Sequence, residues 1–134
     1  MAYGKSVGSG EVQIKAGRVA LTDVNAGTIV IPARAGKSIM IVGGQMVAIG
    51  GNAAANTSVN LNDTAGSPIV GVACLRAGLT QNAQLDFDAA AQVTRTTYRA
   101  PLTAGKAVKP VNVGTAMTTA THVDYYVEYV YVDA

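Results

Sequence analysis

His122 and Cys74 are the only histidine and the only cysteine in the chain. A nucleophilic triad needs a general base set against its nucleophile, and His122 is the one histidine on offer. It stands beside Thr121 and Asp124 at the threshold of a strand-like run, the setting of a surface residue. Cys74 lies in the apolar run Val70-Gly71-Val72-Ala73-Cys74-Leu75, where a free thiol behaves as a small buried hydrophobe. One His and one Cys make no zinc site without carboxylates drawn from elsewhere. The expectation is a non-enzyme, with no catalytic residue, no metal and no cofactor.

Two further constellations invite a chemical reading. Asp86-Phe87-Asp88 puts two carboxylates on one face of a short strand, as glycoside hydrolysis or a calcium site would need. The plainer reading, a solvated face whose Phe87 fills the core, is preferred. Gly4-Lys5-Ser6 and Gly36-Lys37-Ser38 resemble the end of a phosphate loop. That loop needs a glycine five residues before its second one, and the position is Ile31 for the later copy. Neither copy precedes a helical pattern, so phosphate binding is not expected.

The tyrosines carry more. Tyr125, Tyr126, Tyr129 and Tyr131 place four of the six tyrosines in one closing run. Tyrosine buries a large ring while keeping a polar handle, and it is enriched at protein interfaces. Core packing on one face and an oligomer or partner interface on the other are both open readings, with Tyr126 pointing opposite to the rest.

The elements that must position these residues are strands. Of the 134 residues 49% are hydrophobic but only 5% aromatic, so the apolar mass is Ala, Val, Ile and a few Leu. β-Branched residues suit a pleated, half-buried surface, and the 15 glycines with many Thr and Asn supply turns. Charged residues are 13%, about half the usual share, which suits a protein packed against copies of itself or a partner. The ten basic residues are scattered, without the stripe or stacking platform that nucleic acid requires. No apolar segment is long enough to span a bilayer, and the N-terminal residues show no signal-peptide pattern. The expectation is therefore a protein made in a cytoplasm, with neither nucleic acid nor membrane as partner.

Residues 1–10, rich in Gly and Ser, read as a flexible arm, and 11–134 as one domain. Residues 11–15 alternate, with Val12 and Ile14 opposite Glu11, Gln13 and Lys15; Ala16-Gly17 then reads as a turn into a second run, 18–22. A loop at 23–27 leads to a β-branched run at 28–31 closed by Pro32. Residues 37–49 are the most apolar, with Ile39, Ile41 and Met46 or Val47 inward and a bulge or bend at Gly43-Gly44. A loop at 50–56 precedes strand candidates at 58–61, 68–75, 84–88 and 92–99. Pro110 makes 108–113 an edge strand, and the terminal run from Val123 belongs at the centre of a sheet. About eight to ten short strands with regular turns indicate an all-β, single-domain β-sandwich or jelly-roll.

The order of Thr28-Ile29-Val30-Ile31-Pro32-Ala33, Ala35-Gly36-Lys37-Ser38-Ile39, Pro101-Leu102-Thr103-Ala104-Gly105-Lys106-Ala107 and the Tyr/Val terminal strand resembles the jelly-roll decoration (cement) proteins of tailed-bacteriophage heads. The likeness covers most of the chain but is a pattern of small residues and turns. It implies a structural virion protein on the capsid surface that bridges subunits of the major capsid protein. It also implies a homo-oligomer, a trimer preferred and a dimer possible. Tyr3 and Lys5 on the arm would then be capsid anchors, by strand addition. The alternative is a receptor- or glycan-binding sandwich of a tail fibre, less favoured because the chain has no Trp and one Phe.

Overall fold

In the computed structural model, residues 11–20 and 28–134 are described. Among them eight strands form two antiparallel four-stranded sheets that pack face to face as a β-sandwich. The strands are β1 (Gln13–Ala20), β2 (Lys37–Ile49), β3 (Ala53–Asp63), β4 (Val70–Leu75), β5 (Leu85–Asp86), β6 (Val93–Thr94), β7 (Val108–Thr119) and β8 (His122–Asp133). The first sheet has the order β1-β8-β2-β5 and the second β6-β4-β3-β7. The one helical feature among the described residues is a single 3-10 turn at Arg76–Gly78.

The terminal run is central, as its strength of pattern required. β8 lies between β1 and β2, pairing Val127 with Lys15 on one side and with Gly44 on the other. Its odd-numbered residues turn inward: Val123, Val127, Tyr129 and Tyr131 are buried, and Tyr125 is packed against the same core. Facing them from the second sheet are Val59, Leu61, Val72 and Cys74, all with no exposure. On β2 the inward residues are Ile39, Ile41 and Met46, so Val47 is the one that turns out. Each such side chain contributes about 1.5–3 kcal/mol of burial.

Several local expectations need correcting. Ala16-Gly17 is not a turn: β1 runs unbroken from Gln13 to Ala20, in continuous register with β8. Glycine at position 17 has a packing reason instead, because a Cβ there would stand 2.5 Å from the Tyr125 hydroxyl. Residues 28–31 form no strand; Ile31 makes a single bridge to Val108, and Pro32 closes the segment. The 50–56 loop shrinks to a turn at Gly50-Gly51, and Ala53–Asp63 is one strand, with register shifts between Ala54 and Ser58. The runs 84–88 and 92–99 shorten to the two-residue strands β5 and β6. The loop expected at 23–27 and the arm at 1–10 lie outside the described residues.

Gly43-Gly44 does produce the bulge, between Ile41 and Gly43, within one 13-residue strand. Gly44 has φ +143°, and a Cβ there would meet the Tyr126 carbonyl oxygen and the Phe87 ring, so both backbone and space demand glycine. The bulged residue, Val42, accepts a hydrogen bond from the Tyr98 hydroxyl at 3.2 Å. β7 sits at the edge of its sheet with Pro110 in it, as the missing N–H requires.

Candidate functional site

A strand in a sandwich sends alternate side chains to the core and to the outer face. The register fixes what the outer face of the first sheet carries. Val130 of β8 is paired with Met40 of β2, and Val132 with Ser38. Val12 leads into β1, and Ile14 is paired with Glu128. Among the described residues Val12 and Ile14 are the two most exposed large apolar residues, at 55% and 56%. The apolar side of the 11–15 alternation therefore points to solvent, because β1 lies beside β8 with its even positions outward.

Toward the other end the face becomes polar. Tyr126 lies between Ala16 and Gln45, and next along stands the pair Arg18–Asp124. Its guanidinium donates through Nε at 2.6 Å and through Nη2 at 3.0 Å, one bond to each carboxylate oxygen. That hydrogen bonding by Arg18 holds the Asp124 carboxyl below its usual range. His122 closes the row, its Nδ1 2.9 Å from the Thr121 hydroxyl oxygen. One face thus carries an apolar end, a tyrosine and a charged end.

The four tyrosines divide. Tyr129 and Tyr131 belong to the core, at 6% and 3% exposure, with rings edge to face at 5.6 Å. The Tyr131 hydroxyl donates to the Pro32 carbonyl at 2.6 Å, and the Arg34 guanidinium lies 3.8 Å from its ring centre. Tyr125 is half-buried over Gly17. Tyr126 alone of the four lies on the outer face. Tyr3 and Lys5 lie outside the described residues.

The remaining chemical candidates are held apart or satisfied internally. Cys74 sits in β4 between Val59 and Val93, and burial pushes its thiol up to about 12, far from thiolate formation at neutral pH. His122 belongs to the opposite sheet. Phe87 is fully buried and meets Tyr98 edge to face at 6.2 Å, while Asp86 and Asp88 are exposed. Asp88 faces Arg95 at 3.5 Å and Arg99 at 3.6 Å. Lys37 of the second phosphate-loop-like triplet is paired with Asp133 at 2.5 Å. Among the described residues no three His, Cys, Asp or Glu side chains are grouped to hold a metal ion, and no helix is long and apolar enough to cross a membrane.

One polar residue of consequence carries no motif. Asp63 is fully buried, and its carboxylate accepts from the N–H groups of Ala65, Ile69 and Thr103 and from the Thr103 hydroxyl, at 2.6–3.1 Å. It ties the β3–β4 loop to the segment before β7. The only sequence signal was its place at the end of a strand, followed by Thr-Ala-Gly.

No protein-family model, no curated protein and no solved structure matches this chain.

Proposed function

We propose that this chain is a structural protein of a tailed-bacteriophage head, which binds the outside of the capsid and bridges subunits of the major capsid protein. The observation that carries the reading is the apolar character at one end of the first sheet's outer face: Val12 and Ile14 are exposed, Met40 and Val132 on the neighbouring strands are half-buried, and Val130 between them is 5% exposed. A solvated sheet face normally alternates to polar residues there, and an exposed apolar surface rimmed by polar groups marks a protein contact. The sparse charge supports the same reading. So does the resemblance in the order of small-residue and turn segments.

The action is mechanical. Each copy covers a junction between capsid subunits, and repetition over the lattice multiplies a modest affinity. Tyr126 supplies an aromatic contact at the boundary between apolar and charged ends, and Tyr3 and Lys5 on the arm are proposed as further anchors. The test is co-sedimentation of the chain with heads of the phage that encodes it, prepared without the chain. Saturable binding supports the reading. A chain that leaves heads bare but binds glycans favours the tail-fibre alternative.

A further inference from the structure

The second sheet carries a cavity of about 410 Å³ between the β3–β4 loop and β7. Val59 and Leu61 of β3 turn inward with no exposure, so Asn62 belongs to the outer face. Its neighbours in register are Lys109 of β7 and Val70 of β4. Lys109 shares that face, because Val108 and Pro110 on either side of it are buried. The loop is held in place from both sides. The N–H groups of Ala65 and Ile69 donate to the Asp63 carboxylate, and Thr64 exchanges two hydrogen bonds with Ala107, at 3.0 and 3.2 Å. Asn62, Thr64, Pro68, Lys109 and Val111 are among the residues that line the space. Three polar groups there are left over. Lys109 has no ion pair among the described residues. The Thr64 hydroxyl accepts from the Ala107 N–H and keeps its own proton to give. Asn62 is 7% exposed, and its Oδ1 is buried without a hydrogen-bond partner. Asp63, the one carboxylate of the lining, already takes four donors.

We propose that this cavity binds a sugar acid, a carboxylate whose neighbouring carbons carry hydroxyl groups. The Lys109 ammonium and the Thr64 hydroxyl donate to the carboxylate. The terminal torsion of an asparagine is a broad one, so the Asn62 amide can turn toward a ligand hydroxyl. A hydroxyl both donates and accepts, and so serves the amide in either orientation, which a peptide N–H cannot. That bond gives a buried acceptor the partner it lacks, and native chains leave few such groups unmade. A bare inorganic anion would satisfy Lys109 and Thr64 but not the Asn62 oxygen. Pro68 and Val111 supply apolar wall for the C–H groups of a sugar ring. An apolar wall with a few convergent polar groups is the usual form of a small-molecule site. The cavity lies on the sheet opposite the apolar row, and its occupation does not rest on the capsid reading.

The experiment is titration of the isotope-labelled full chain with glucuronate, methyl glucoside, acetate and N-acetylglycine. It is followed by NMR through the Asn62 side-chain amide and the backbone signals of Thr64 and Lys109. Glucuronate is expected to saturate these shifts with a Kd of about 1 mM or below. The other three lack the charge, the hydroxyls or the second hydrogen-bonding role, and should bind about tenfold or more weakly. Lys109→Met removes the charge at similar length and should weaken glucuronate about tenfold or more. Lys106→Met, outside the cavity, should bind within about twofold of wild type. Both variants should melt like wild type, since neither lysine is ion-paired among the described residues. Absence of saturation by about 10 mM glucuronate overturns the proposal. Acetate binding as tightly as glucuronate overturns it in favour of a plain anion site, and tighter N-acetylglycine in favour of a peptide chain end. An equal loss in both lysine variants overturns it in favour of a diffuse field.

Discussion

The hydroxyl of Tyr125 lies over Gly17 so closely that a Cβ on residue 17 would stand 2.5 Å from it and 2.9 Å from Cζ. The missing side chain on β1 is the space in which the β8 ring lies. Gly17→Ala must therefore displace the ring and is expected to cost about 1–3 kcal/mol, as overpacking does. In a Tyr125→Val background the same substitution should be nearly neutral or favourable. Chemical denaturation of the four proteins measures this coupling; equal costs in both backgrounds would contradict the packing account.

Asp63 makes acid sensitivity local. Burial raises its carboxyl, but the hydrogen bonds from Thr103, Ile69 and Ala65 outweigh burial and hold it below the ordinary value. Its folded-state value lies under its unfolded one. The stability it contributes is therefore fully present above the unfolded value, about pH 4, and is lost as pH falls through the folded one. Asp63→Asn keeps the shape but removes the charge, and should cost about 3 kcal/mol near pH 7. The gap between variant and wild type should narrow as pH falls toward about 2. Denaturation midpoints across that range check it, and a constant gap would point away from the carboxylate.

Cys74 should be silent to thiol reagents. Buried, and with its proton held to about 12, it offers neither access nor thiolate. Labelling by a maleimide or disulfide reagent is expected only at the rate at which the sandwich opens, rising with denaturant. Rapid labelling of the native protein would place Cys74 in a working site and revive a nucleophilic role.

Asn56 is 2% exposed, and neither polar atom of its amide has a hydrogen-bond partner. Burying such a group costs more than burying a hydrocarbon of similar volume. Asn56→Leu is expected to raise stability by about 1–2 kcal/mol. A loss of that size in thermal or chemical denaturation would show that the amide has a bonded role.

What could be read in advance was whatever depends on period two. The central terminal strand, the inward Ile39 and Ile41, the bulge at Gly43-Gly44, the edge position around Pro110 and the buried Phe87 all follow from alternation, backbone freedom or a missing N–H. What stayed hidden depends on register. Gly17 looked like a turn because the ring that needs its space lies over a hundred residues away. Val12 and Ile14 showed alternation, but only pairing with β8 decides that their side faces outward. Four tyrosines in one strand left core and interface open, and three of the four pack inward, against the core or over Gly17. The outer apolar row joins three separate strands, so no single window of sequence contains it.

The central claim is that this row is the binding face, and one measurement addresses it most directly. Occupancy of bare phage heads is compared for wild type, for Met40→Glu on the row, and for Lys106→Glu away from it, with folding checked by circular dichroism. The row variant is expected to bind about tenfold or more weakly, as loss of a central apolar contact does, with Lys106→Glu binding as wild type. Equal occupancy of all three proteins would contradict the claim.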